Sequence, residues 1–322
     1  MKNFHSCMLA LFLTVLLTTA LLAGCGGNSG GETQPAPVLT GNVNAFPNAV
    51  LLATPSLQYE IPQQTIVLDA RRTQAEYDAG HIPGAIFAPP SLFETNGELN
   101  SDSDLASELG KLGITRDSKI LIYDNTTASL GSGGRLFWIL EYLGCTNVTF
   151  LNGGWDLWKA QDMPVETAAV VHAPIAQAEF IAAINPEMVE SVTKEYVKEH
   201  FIPTPVEGFI LIDVRAEKEY IGDELNGASR PGHIPGAVNL PYTECFNAKD
   251  KSILSYEEFK KLLADHNITL DKKLVAYSTI GHRSGFFYFL CRLMGYENVA
   301  NYTGSIVDWA KADPNQYPMI DP

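Results

Sequence analysis

The chain repeats itself once, and this constrains its fold more than any other feature. The stretch "VLDARRTQAEYDAGHIPGAIFAPPSLF" at 67–93 matches "LIDVRAEKEYIGDELNGASRPGHIPGAVNLPYTECF" at 211–246, and the second copy carries eight extra residues between its Asp-x-Arg and its His. A second pair follows in the same order: "YLGCTNVTFLNGGWDLW" at 142–158 and "LMGYENVANYTGSIVDW" at 293–309. A period of about 150 residues is the size of a domain, not of a solenoid repeat. The 322 residues are therefore expected to form two copies of one domain, at 47–167 and 187–322. An Ala/Pro/Val-rich connector at 168–186 joins them.

Within each copy, short apolar runs alternate with helical patterns. In the first copy "TIVLDA", "GAIFAPP", "SKILIYD" and "NVTFL" read as strands. "TQAEYDAG", "DLASELGKLG", "GRLFWILEYLG" and "GWDLWKAQ" read as helices between and after them. Uninterrupted apolar strands alternating with helices predict an α/β fold, in which each domain is a mainly parallel five-stranded sheet with helices on both faces. Ligands of such sheets bind where a strand end turns into a helix, because backbone N–H groups and the helix dipole point there. In the second copy "YSTIGHRSGFFYFL" is such a junction. It marks Ser278, Thr279, Ile280, Gly281, His282, Arg283 and Ser284 as a candidate anion cradle.

The first residues have a different character. Lys2 and the apolar run "CMLALFLTVLLTTALLA" have the form of a signal peptide, and "LLAGC" resembles the bacterial lipobox. That resemblance implies a signal at 1–24, a lipid on Cys25 and a flexible tether at 25–46, and so an exported protein anchored to the cell-envelope membrane. The net charge of −15 argues against nucleic acid, which needs Lys/Arg clusters. It leaves room for a small anion in a local positive pocket. Cys145, Cys245 and Cys291 remain beyond the signal and lipid site, an odd number that suggests no disulfide framework. No Cys-x-x-Cys or His/Cys cluster indicates a metal, and no cofactor is implied.

The paired "GHIPGA" segments at 80–85 and 232–237, Asp-x-Arg at 69–71 and 213–215, "LNGGW" at 151–155 and the loop at 278–283 together resemble rhodanese. More closely, the chain is similar to tandem-domain thiosulfate or mercaptopyruvate sulfurtransferases. That resemblance implies a loop cysteine in the C-terminal domain that takes sulfane sulfur as a persulfide and passes it to a thiophile. A loop of N–H donors at a helix N-terminus lowers a thiol pKa and stabilises the persulfide anion. The position of that cysteine holds Ser278, and the matching position of the N-terminal domain holds Asp124, in a loop three residues longer. A serine hydroxyl ionises far less readily than a thiol, and oxygen cannot replace sulfur in a persulfide relay. Sulfur transfer by the family mechanism is therefore expected to be absent or weak.

Several alternatives follow for individual residues. A Ser–His–Asp hydrolase is disfavoured, because His282 lies four residues along the same tight loop and no Gly-x-Ser-x-Gly elbow is present. Arg283 is read either as an anion ligand or as a loop clamp paired with a carboxylate. Arg215 is expected to pair with Asp213 at the strand end, and Arg230 is placed as a candidate facing the pocket. His81 and His233 are read as turn-capping residues. Cys291 is expected in the core, Cys145 in a loop, and Cys245 near the pocket mouth as a surrogate sulfur carrier. The expected partners are a thiosulfate-like sulfur oxyanion, the membrane through Cys25, and an unidentified protein docked on the acidic surface.

Overall fold

Both copies build the same sheet. The computed structural model describes residues 45–55, 61–95, 97–170, 173–174 and 191–321, all within one compact unit. The signal segment, Cys25 and nearly all of the tether lie outside the described residues. Domain one contains β1 (Leu52–Ala53), β2 (Thr65–Asp69), α1 (Gln74–Asp78), β3 (Ala85–Phe87), β4 (Glu94–Thr95), β5 (Glu98–Leu99), α2 (Asp102–Lys111), β6 (Lys119–Tyr123), α3 (Ser132–Tyr142), β7 (Val148–Leu151) and α4 (Gly154–Ala160). Domain two contains β8 (Ser191–Val192), α5 (Lys194–Phe201), β9 (Phe209–Asp213), α6 (Glu217–Tyr220), β10 (Val238–Asn239), α7 (Tyr256–Asp265), β11 (Lys273–Tyr277), α8 (His282–Leu293), β12 (Val299–Tyr302) and α9 (Ser305–Lys311).

The sheet orders are β1-β7-β6-β2-β3 and β8-β12-β11-β9-β10, which are the same path, and every pairing within them is parallel. The central strands explain this. In β2, β6, β9 and β11 every residue after the first is buried, as a sheet covered on both faces requires. Domain one differs by a small antiparallel β4–β5 hairpin.

The Asp-x-Arg motif locks each strand end. Arg71 donates to both Asp69 oxygens and to the Gly80 carbonyl, and Arg215 does the same to Asp213 and the Gly232 carbonyl. These fully buried ion pairs tie the strand to the start of "GHIPGA". The histidine of that turn bonds through Nδ1 to the backbone carbonyl of Tyr77 in one copy and Tyr220 in the other, and stacks on the same tyrosine ring. Both histidines are therefore turn-capping residues, and burial lowers the pKa of His233.

The domains meet along α3 and α8. A Cβ on Gly134 would lie 2.2 Å from Phe286 Cα, and a Cβ on Gly285 would lie 2.9 Å from Arg135 Cα. Only glycine allows the two backbones to approach this closely. Phe137 packs edge-on against Phe289 with centroids 4.9 Å apart, and both rings are buried, each worth about 1.5–3 kcal/mol of burial. The crossing brings the N-termini of α3 and α8 together: a Cβ on Gly131 would meet Arg283 Cα at 2.8 Å. The two strand–loop–helix junctions thus lie side by side.

Candidate functional site

In domain two, β11 ends at Tyr277 and Ser278 follows at its carboxyl end. Its N–H donates to Ser305 Oγ at 3.1 Å, and its carbonyl accepts the Ile306 N–H at 3.1 Å. The start of α9 therefore pins the backbone of Ser278. Its Oγ accepts the Gly281 N–H at 3.1 Å and lies 3.4 Å from Ser284 Oγ. Gly281 has φ +86°, and a Cβ there would lie 2.8 Å from the Thr303 carbonyl oxygen, so both backbone conformation and space require glycine. The N–H groups of Thr279, Ile280, His282, Arg283 and Ser284 donate to no acceptor among the described residues. Residues 278–284 thus form a tight loop leading into the N-terminus of a twelve-residue helix.

The matching junction of domain one is built differently. Asp124 follows Tyr123 and is fully buried. Its carboxyl group accepts the Thr126 N–H at 2.7 Å and the Gly133 N–H at 2.9 Å. Asn125, Ala128, Leu130 and Ser132 also donate their N–H groups to acceptors inside this loop. Burial raises the pKa of Asp124 to about 7, against the lowering effect of the two N–H groups. Domain one therefore closes its junction with its own side chain.

Arg283 turns out to be a clamp. Its guanidinium makes two hydrogen bonds to Glu219, at 2.6 and 2.8 Å, and another to Thr279 Oγ1. Glu219 also accepts the Ala216 N–H, capping α6. Burial alone would raise the Glu219 pKa, but Arg283 outweighs it and the carboxyl stays below its ordinary value. His282 is held from the other domain. Its Nε2 bonds Glu94 Oε1, while Arg135, fully buried, pairs with Glu94 Oε2 at 2.9 Å. Burial would raise the Glu94 pKa too, and His282 and Arg135 together bring it below the usual value.

A cleft of about 600 Å³ lies over the loop between the domains. Its lining includes Ser278, Thr279, Ile280, His282 and Arg283 from the cradle, Tyr242 and Glu219 from domain two, and Arg72, Thr127 and Leu130 from domain one. Tyr242 spans the gap, donating its hydroxyl to the Thr127 carbonyl at 2.6 Å. Among the described residues, no carboxylate pairs with Arg72. It is the cleft cation that sequence reasoning missed. The signal was present: domain one has five residues from Arg71 to the capping Glu76 where domain two has four from Arg215 to Glu219, and the extra residue is at this corner.

Two expected site residues belong elsewhere. Arg230 does not face the pocket. It donates to the carbonyls of Trp309, Ala310 and Tyr317 at 2.9–3.0 Å, capping the end of α9, because the inserted segment folds back onto that helix. Cys245 is not at the pocket mouth either. It is completely buried in the core, and burial pushes its thiol well above the ordinary range. A buried neutral thiol cannot serve as a sulfur carrier. Cys291 is equally buried, and Cys145, in the loop after α3, is pushed up to about 12. Among the described residues no His, Cys, Asp and Glu cluster is arranged to hold a metal.

The rhodanese-like domain model matches residues 55–161 and 193–312. The sulfur carrier protein TtuD of Thermus thermophilus is 30% identical over 276 residues, which cover 81% of this chain and 93% of that protein. The thiosulfate sulfurtransferase of Pseudomonas aeruginosa is 29% identical over 275 residues, covering 83% and 96%. Among solved structures, a persulfide-bearing variant of EanB with ergothioneine superposes with TM-score 0.75 and 25% identity, over 85% of this chain and 71% of that one. A cysteine-to-serine variant of EanB with hercynine gives TM-score 0.71 and 26% identity, over 82% of this chain. This chain spans 65% of the length of that second structure.

Proposed function

Because the chain belongs to the rhodanese family, as a tandem of two rhodanese-like domains, we propose that it is a small-anion binding protein that does not relay sulfur through a persulfide. Its site is the interdomain cleft over Ser278. One observation carries this reading. Among the described residues, five loop N–H groups of the domain-two junction have no acceptor, whereas in domain one the Asp124 carboxyl accepts two loop N–H groups. N–H donors at a helix N-terminus favour an anion, and Arg72 adds a cleft guanidinium that pairs with no carboxylate among the described residues.

The chemistry of sulfur transfer is missing at the same place. A persulfide needs a nucleophilic sulfur, and Ser278 offers a buried hydroxyl bonded to Gly281 and close to Ser284. The remaining described cysteines are buried and raised in pKa. A neighbour supports binding without the sulfur: the EanB variant with serine in place of a cysteine was obtained with hercynine. The ligand class closest to the family is a sulfur oxyanion such as the thiosulfate of the Pseudomonas relative's name. By the lipobox resemblance at Cys25, this binding takes place at the cell-envelope membrane, with the lipid as anchor.

Titration calorimetry with thiosulfate, run beside thiosulfate:cyanide and mercaptopyruvate sulfur-transfer assays, tests the reading. Saturable thiosulfate binding without turnover supports it. Robust turnover by the wild-type protein overturns the loss of transfer, and absence of binding overturns the anion site.

A further inference from the structure

Three of the places where the two copies differ in length converge on one spot. Domain one has three more residues than domain two in the loop after its strand, since Gly144 lies 20 residues beyond Asp124 and Gly295 lies 17 beyond Ser278. That longer loop supplies Thr127 and Leu130 to the cleft. Domain two has the eight-residue insertion before His233, and it supplies Glu224 and Asn226. Domain one has the extra residue at the Arg71 corner, and it supplies Arg72. Segments from opposite domains thus form a collar around the mouth of the cleft above Ser278.

Resting on the proposed anion site, we propose that this collar selects an organic anion with an apolar body of aromatic-ring size, rather than a bare inorganic sulfur oxyanion. The cleft lining combines two kinds of group. Arg72 and the loop residues Ser278 to Arg283 suit an anionic head. Leu130, Ile280 and Tyr242 supply apolar surface. Leu130 is 41% exposed at φ +54°, which is uncommon for a large aliphatic side chain, and it turns toward the cleft instead of the core. A five-atom oxyanion leaves most of the 600 Å³ unfilled, and that volume is in the range that holds organic ligands. The acid–base pairs Arg283–Glu219 and His282–Glu94 add little net charge to the lining, so one anionic group on the ligand meets Arg72, which pairs with no carboxylate among the described residues.

Calorimetry with methanesulfonate, benzenesulfonate and thiosulfate separates this from simple anion binding. The two sulfonates share a head and differ only in the body. Benzenesulfonate is expected to bind about tenfold more tightly than methanesulfonate, the gain expected for burying much of a phenyl ring. Leu130→Asn, which adds no charge to the cleft and suits a positive φ, is expected to remove that tenfold advantage by weakening benzenesulfonate more than methanesulfonate or thiosulfate, with the thermal melt checking that the variant is folded. Arg72→Ala is expected to weaken all three ligands about fivefold or more. Equal affinity for the two sulfonates, or a Leu130→Asn variant that keeps the benzenesulfonate advantage, overturns the collar while thiosulfate binding keeps the anion site. Failure of all three ligands to bind overturns both.

Discussion

Domain one and domain two place the same junction at the end of the same strand, and treat its donors in opposite ways. In domain one the Asp124 carboxyl accepts from Thr126 and Gly133, and four more loop N–H groups are satisfied within the loop. In domain two the loop is shorter, its first side chain is a neutral hydroxyl that accepts the Gly281 N–H, and five of its N–H groups have no acceptor among the described residues. The duplication therefore contains its own control. In domain one the Asp124 side chain accepts the junction's N–H groups; in domain two the proposed ligand would take that place.

The largest expected effect tests the symmetry itself. Gly134→Ala places a Cβ 2.2 Å from Phe286 Cα, and Gly285→Ala places one 2.9 Å from Arg135 Cα. Backbone overpacking of this kind is expected to cost about 3 kcal/mol at Gly134, and less at Gly285. Denaturant unfolding checks the order; equal and small costs break the description of the crossing.

Next is the clamp. Arg283→Ala leaves the Glu219 carboxylate buried without its cation, an expected loss of about 2–3 kcal/mol. The domain-one counterpart Glu76 is only half-buried, and Glu76→Gln is expected to cost about 1 kcal/mol or less. Arg283 holds the folded pKa of Glu219 below its unfolded value. The stability it supplies is thus present above the ordinary glutamate pKa and lost as pH falls toward the depressed value. Acid denaturation curves of Arg283→Ala should lack that arm.

Asp124 has the opposite sign. Its folded pKa is raised to about 7 by burial, above an unfolded value of about 4. Its contribution is fully present below about pH 4 and declines as pH rises toward 7. Asp124→Asn should flatten the stability profile across that window in pH-resolved thermal melts. An unchanged slope breaks the account of a buried carboxyl closing loop one. The smallest effect is at Arg230. Arg230→Ala uncaps α9 and is expected to cost about 1 kcal/mol, without changing thiosulfate affinity.

Much of this was legible in the sequence because it is local or repeated. The duplicated Asp-x-Arg and "GHIPGA" segments carry the buried Arg–Asp pairs and the histidine turns, whose partners lie within twenty residues. The apolar runs reported the parallel strands directly. What was missed depends on the approach of the two domains. His282 and Glu94 are 188 residues apart, and no pattern in one copy announces a partner in the other. Arg230 and Cys245 were misplaced for a related reason. An insertion's path and a side chain's depth are set by packing against α9 and the core, not by neighbours in sequence. The glycines of "GSGG" and "RSG" were visible, but their role as a helix crossing follows only from the contact between α3 and α8.

The central claim is that domain two keeps the cradle and lacks only its sulfur. Intact-protein mass spectrometry after incubation with thiosulfate tests it most directly, on the wild type and on Ser278→Cys. The account predicts that Ser278→Cys gains one sulfur atom, removable by cyanide, and that the wild type gains none. A wild-type protein that takes up cyanide-labile sulfur, or a Ser278→Cys variant that takes up none, contradicts it.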